Sequence, residues 1–195
     1  MAAPVETAKM VLDSDALGRT LVRIAHEIVE RNSDLSRLAL VGIHTRGVPL
    51  AHRLRRLIAR FGGVDVALGS LDITFHRDDV YVRNAAPPSH AQPVVKSTRL
   101  DFALEGKTCV LVDDVLHTGR TIRAAIEALF AYGRPDRVQL ACLVDRGHRE
   151  LPIRPDYVGK NLPTGRRERI HVQLLEVDEV DAVLLTPSNG KVIDG

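Results

Sequence analysis

Residues 108–121 read TCVLVDDVLHTGRT, and the fold is decided there. Residues 109–112 are a continuous apolar run without polar alternation, which predicts a short strand buried on both faces. Two adjacent carboxylates, Asp113 and Asp114, end the run, and after a short loop Thr118, Gly119, Arg120 and Thr121 open a helix. In sheets built from strand–loop–helix units, ligands bind beyond the carboxyl ends of the strands, so this loop is a candidate site. Small residues let backbone N–H groups converge, the two threonine hydroxyls add donors, and the helix start contributes unpaired amides and the positive end of its dipole. That chemistry suits a phosphate. The carboxylates could accept hydrogen bonds from vicinal hydroxyls of a sugar whose 5-phosphate sits in the loop, and could help hold a divalent cation. On these residues alone, a strand-end acidic pair with an ordinary helix cap is the competing reading.

Outward from this stretch the same alternation repeats. The helix GRTIRAAIEALFAYG, residues 119–133, ends at Gly133 and Pro135, and VQLACLVD, residues 138–145, follows as another buried strand. Upstream, LALVGI at 38–43 is a buried strand running directly into a helix over 47–61, whose Val48, Leu50, Leu54, Leu57 and Ile58 keep helical spacing until Gly62 and Gly63 stop it. VDVALGSLDITF, residues 64–75, reads as extended. A first helix over 13–32 carries Leu17, Leu21, Ile24 and Ile28 on one face, with Asp13 or Ser14 as its cap. IHVQLLEV at 170–177 and DAVLLT at 181–186 alternate more and read as peripheral strands, while 1–12 and 188–195 read as loose tails. Continuous apolar strands alternating with helices predict an α/β fold, a parallel sheet covered on both faces, in a single domain over 1–195.

Composition narrows the classes. The chain has 195 residues, 45% hydrophobic and 27% charged, with no apolar run of the ~18 residues needed to span a bilayer. The N-terminal residues lack the apolar core of a signal peptide, so a cytoplasmic location is expected. Cys109 and Cys142 both fall in apolar strands, which favours buried inert thiols over a disulfide and excludes a zinc–cysteine cluster. With 27 basic against 25 acidic residues the net charge is only +2, so a polyanionic partner must be met by a local patch.

VLVDDVLHTGRT resembles the 5-phosphoribosyl-1-diphosphate (PRPP) motif of type I phosphoribosyltransferases, in which two acidic residues precede a TGxT phosphate loop. Three further segments, GIHTRGVPLAHRL at 42–54, LDITFHRDD at 71–79 and LVDRGHRELPIRPDYVGKNLPT at 143–164, are similar to the family of bifunctional pyrimidine operon regulatory proteins with uracil phosphoribosyltransferase activity. The resemblance runs over about 13–177, and DRGHRELP is specific to that family within the superfamily. It implies a five-stranded parallel core with flanking helices and a small hood, and the reaction of uracil with PRPP to give UMP and diphosphate with Mg2+.

Residue by residue, the resemblance assigns Asp113 and Asp114 to the ribose hydroxyls, with an indirect part in holding Mg2+. Val115, Leu116, His117, Thr118, Gly119, Arg120 and Thr121 wrap the 5-phosphate, His117 shaping the loop rather than catalysing. Thr45 and Arg46 match the diphosphate loop, where a planar Arg fork suits the leaving group; taken alone they are a βα turn with a solvated arginine. Together, Asp113, Asp114 and Arg46 form the catalytic set, and no protein nucleophile is required. Arg146 and a backbone contact at Ile170 are carried over as uracil and UMP contacts. A site that pairs the two carbonyls and N–H groups of uracil would reject cytosine by leaving polar groups unmatched. The aperiodic stretch 77–98 reads as a lid with Arg77 and Arg83 as candidate diphosphate contacts, against a merely charged insertion.

The first helix places Arg19, Arg23, His26 and Glu30 in a narrow stripe opposite its apolar face. Downstream, Arg146, His148, Arg149, Arg154, Lys160, Arg166, Arg167 and Arg169 make a basic region. Relatives bind a stem-loop in the pyrimidine operon leader messenger RNA through a basic dimer face, and Arg23, His26, Arg31, His148, Arg154 and Lys160 match basic positions there. A solvated helix face is the alternative. Aromatic residues are 4% with no tryptophan, so phosphate and shape contacts rather than base stacking are expected. The resemblance also implies a homodimer or higher oligomer. Two alternative functions stay open: a regulator that mainly senses nucleotides and binds RNA, and a transferase with no RNA role.

Overall fold

The computed structural model describes residues 8–76, 97–165 and 167–187. Its centre is the strand β4, Thr108–Leu116. Val110 and Val112 enter one core and Cys109 and Leu111 the other, which is why the run is apolar without alternation. Beside it lie β2, Leu38–Ile43, and β5, Arg137–Asp145; β3, Ala67–Leu71, and β6, Tyr157–Asn161, form the edges. The order is β3-β2-β4-β5-β6 and every pairing is parallel.

Helix α1, Ser14–Arg31, starts where the Asp13 side chain accepts from Ala16 N–H at 2.8 Å, and it buries Leu17, Leu21, Ile24, Ala25 and Ile28. With α2, Gly47–Gly62, it contributes to the core on the Val110 side. Helix α3, Arg120–Phe130, contributes Ile122, Ala125 and Leu129 to the opposite core. Burying each such leucine or isoleucine is worth about 1.5–3 kcal/mol, so the two apolar faces, rather than helix propensity, fix these elements. No helix among the described residues is long and apolar enough to cross a membrane.

A second, three-stranded antiparallel sheet of order β1-β8-β7 matches the expected hood: β1 is Lys9–Leu12, β7 is Glu168–Gln173 and β8 is Ala182–Pro187. Three details differ from the sequence reading. Residues 9–12 are not part of a loose tail, because Lys9 and Met10 pair with Leu185 and Leu184. The extended run expected to reach Val177 stops at Gln173, and Leu175–Asp178 form a one-turn helix, α4. The edge strand β6 falls in a stretch that the sequence reads as part of a basic, family-resembling segment and not as a strand. The lid candidates Arg77 and Arg83, as well as 188–195, lie outside the described residues.

Sheet order reverses between β2 and β4: the chain leaves β2 toward β3 on one side, while β4 lies on the other. The loops after these two strands therefore flank one crevice, the place where such sheets take ligands. Gly42 and Gly47 let the crevice close tightly. A Cβ on Gly47 would sit 2.2 Å from the Val112 carbonyl oxygen, and one on Gly42 would sit 2.5 Å from the Cα of Val48.

Candidate functional site

Asp113 and Asp114 stand at the end of β4. Asp113 is 7% exposed, and its carboxylate accepts from Asp114 N–H at 3.0 Å; that of Asp114 accepts from Val115 N–H at 2.8 Å. Burial pushes the Asp114 carboxyl above its ordinary range, against the opposing pull of the Val115 N–H and the Arg46 charge. A carboxylate in that state gains from any hydroxyl that donates to it.

The turn that follows reaches φ +94° at Gly119, a region that side-chain-bearing residues avoid, before α3 begins. Thr118 Oγ1 accepts from Arg120 N–H at 3.3 Å. The loop is braced from the segment after β5. Leu116 O accepts from Arg146 N–H at 3.1 Å, and Thr118 O accepts from the N–H groups of Glu150 and Leu151 at 3.0 and 3.1 Å. Arg149 contributes most: its guanidinium donates to His117 O at 2.8 Å and to Ile153 O at 2.9 Å, and it pairs with Asp145. From the sequence, Arg149 counts only as basic surface. In the structure it holds the backbone of the 115–121 loop. Burial first, and then the nearby Arg146 charge, lower the His117 pKa, so its ring carries less charge than an ordinary histidine.

Across the crevice, Thr45 and Arg46 connect β2 to α2, and the His44–Thr45 peptide is cis. Arg46 donates from Nε to Asp178 Oδ2 at 3.1 Å and from Nη2 to Oδ1 at 2.6 Å. Asp178, on α4, does not stand out in the sequence. Its partner lies 132 positions away, and no local pattern announces an ion pair of that span. Next to this pair is α2's Arg53, which donates from Nη1 and Nη2 to Asp181 at 2.8 and 2.7 Å and also forks onto Glu176. The hood is thus tied to α2 by two arginines.

Arg146 and Ile170 line different cavities. Arg146 is 9% exposed and donates to Thr164 Oγ1 at 3.1 Å and to Glu168 O at 3.0 Å, beside a space of about 320 Å³ that His148, Asn161 and Leu162 also line. Ile170 lines a space of about 180 Å³ with Arg46, Asp114, His171 and Asp178. The second space joins Asp114, the β2 loop and the hood.

The RNA candidates divide by location. Arg23 donates to Val158 O at 3.0 Å and also to Gly159 O, and Arg31 donates to Asp156 O at 2.8 Å. Lys160 on the edge strand β6 and Arg154, shortly before that strand, are exposed. His26 instead stacks on Phe61 of α2 at 4.0 Å, and the His148 ring lies 2.6 Å from Thr164 O in the Arg146 cavity. Arg166 lies outside the described residues. Among the described residues, no group of three His, Cys, Asp or Glu side chains could hold a metal ion. Two carboxylates alone suit an octahedral cation that takes its remaining ligands from a substrate and water.

A parallel sheet with an acidic pair, a glycine-containing loop and an arginine loop at its switch point is the architecture of a type I phosphoribosyltransferase. The phosphoribosyl transferase domain model matches residues 7–175. Solved structures agree on the fold: a hypoxanthine phosphoribosyltransferase from Trypanosoma cruzi aligns with TM-score 0.67 at 16% identity over 96% of this chain and 94% of its own. One from Leishmania tarentolae aligns with TM-score 0.65 at 17% identity over 94% and 98%. Curated relatives are far more similar in sequence. The bifunctional protein PyrR of Clostridioides difficile is 54% identical over 93% of this chain and 98% of its own, and that of Thermus aquaticus is 55% identical over 92% and 96%. The chain belongs to the PyrR family, in agreement with its DRGHRELP segment.

Proposed function

We propose that this protein transfers the phosphoribosyl group of PRPP to uracil, giving UMP and diphosphate, and that it regulates pyrimidine operon expression by UMP-dependent binding to the leader messenger RNA. One observation carries the enzymatic half: Arg46 and Asp114 share a cavity at the carboxyl ends of β2 and β4, where β4 also carries Asp113 and runs into the 115–121 loop. In this reading backbone N–H groups of the loop, with Thr118 and Thr121, hold the 5-phosphate. Asp113 and Asp114 accept from the ribose hydroxyls and face the positive charge that develops at the anomeric carbon. Arg46 takes up charge on the departing diphosphate. Asp113 and Asp114 would give indirect support to a Mg2+ ion bound with PRPP, which would supply charge neutralisation at the diphosphate. Catalysis is then positioning and electrostatics, without a covalent intermediate on the protein.

Arg146 and Ile170 remain the uracil contacts of this reading, approached from the two cavities they line. The regulatory half rests on the family and on the row of cations beside β6, with Arg23, Arg31, Arg154 and Lys160 meeting RNA phosphates. Exposed Val177 and Val180, 44% and 46% accessible on the hood, suit a homodimer contact. A cytoplasmic location, where both substrates and the messenger occur, goes with this assignment. The test is direct: UMP formation from uracil and PRPP with Mg2+, and leader RNA binding with and without UMP. Absence of UMP formation overturns the first half, and UMP-independent or absent RNA binding overturns the second.

A further inference from the structure

The guanidinium proposed to receive diphosphate is already holding a carboxylate. Arg46 uses Nε and Nη2, one full edge of its fork, on the two oxygens of Asp178 at 3.1 and 2.6 Å. That edge is the geometry a phosphate would need. Asp178 is itself fixed, because Oδ2 also accepts from Leu174 N–H at 2.9 Å. The pair walls the cavity of about 180 Å³ that Asp114 and Ile170 share, so the carboxylate sits inside the proposed site. The pair is exchangeable: the two side chains are 33% and 18% exposed, and a partly exposed pair holds its partner only modestly. The hood does not depend on it, since Arg53 ties Glu176 and Asp181 independently.

We propose that Asp178 is a placeholder for the diphosphate: its carboxylate occupies the Arg46 fork in the ligand-free protein, and the incoming diphosphate displaces it. The inference rests on the assignment of Arg46 to the diphosphate subsite. While the placeholder is bound, only the fraction of molecules with a free fork is competent, so apparent anion affinity is reduced by that fraction. When the product diphosphate begins to leave, Asp178 competes for the fork and shortens its stay. No bond is made or broken in this exchange; one charged acceptor replaces another.

Asp178→Asn is the informative variant, because the amide oxygen still accepts from Leu174 N–H while the negative charge is removed. Calorimetric titration with inorganic diphosphate and Mg2+ should show binding tightened about two- to sixfold, the range an exchangeable pair of this exposure can hold back. In steady state the KM for PRPP and kcat should fall together, which a merely structural role would not produce. Asp178→Glu, which restores the charge, should return both toward the parent values. Unchanged diphosphate affinity in a folded Asp178→Asn protein overturns the proposal; so does weakened affinity, which would make Asp178 a support for Arg46 instead of its competitor. Arg46→Ala separates the two levels. If it leaves diphosphate affinity unchanged, the subsite assignment itself fails. If it weakens affinity while Asp178→Asn changes nothing, only the placeholder falls.

Discussion

At the scale of single residues, the site trades stability for readiness. Burial holds the Asp114 carboxyl above its ordinary range, so between the unfolded and folded values the native state binds more protons and stability falls as pH rises through that window. Above it the penalty is fully present. Asp113→Asn with Asp114→Asn should therefore abolish UMP formation without lowering the melting temperature at neutral pH. At this chain length ~1 kcal/mol moves Tm by about 2–4 °C, so any relief should be measurable, and it should shrink as the pH is lowered. Activity within a few-fold of the parent would remove the pair from the mechanism. Gly119 makes the opposite bargain: at φ +94°, with Ile153 and Leu151 atoms 3.4 Å from where a Cβ would lie, valine strains the turn in the free protein. Gly119→Val should destabilise the fold by about 1–3 kcal/mol and weaken PRPP binding at least tenfold, both read by titration alongside thermal unfolding.

At the scale of elements, Arg53 is the joint between α2 and the hood. It is 13% exposed and pairs with two carboxylates, so Arg53→Met leaves Asp181, itself 16% exposed, without its charge partner. A loss of roughly 1–3 kcal/mol is expected, discounted from fully buried pairs because Glu176 is 41% exposed. Hydrogen bonds from Arg53 and from Arg46 depress Glu176 and Asp178 respectively. Their contribution is thus present above the ordinary carboxylate range and is lost as pH falls through the depressed values; acid unfolding of Arg53→Met should show a shallower pH slope than the parent. The same elements explain what was legible in the chain. β4, α1 and α2 announced themselves because each must bury a continuous run or a full helical stripe. β6, YVGKN, did not: an edge strand with one fully buried side chain, Tyr157, needs no apolar pattern, and Gly159 packs so closely that a Cβ would lie 2.3 Å from Leu143 O. β1 was hidden because its pairing partner, β8, lies at the other end of the chain. The loop between β4 and α3 was readable because it is contiguous. Asp178 and the bracing by Arg149 were not, because their meaning comes from neighbours the chain acquires only when folded.

At the scale of the molecule, the proposed catalytic site and the basic edge share one strand. Asp145 at the end of β5 registers with Leu116 of the phosphate loop's strand on one side and with Asn161 of β6 on the other, and it anchors the Arg149 that braces the loop. In the proposed function, ordering of the 115–121 loop around the UMP phosphate would act through Asp145 on the strand that carries Lys160. A coupling of about 1–3 kcal/mol would raise leader RNA affinity roughly 5–150-fold when UMP is bound, and linkage requires RNA to raise UMP affinity by the same factor. Arg154→Ala with Lys160→Ala tests the edge more cleanly than changes at Arg23 or Arg31, whose guanidinium groups also tie α1 to the β6 side of the sheet. The double variant should keep UMP binding and UMP formation. Its RNA affinity should fall, and the slope of log K against log salt should lessen by about 0.7–0.9 for each RNA phosphate that is no longer neutralised. An unchanged affinity at two salt concentrations would place the RNA elsewhere. If UMP leaves RNA affinity unchanged in the parent, the two sites are not coupled and the path through β5 falls.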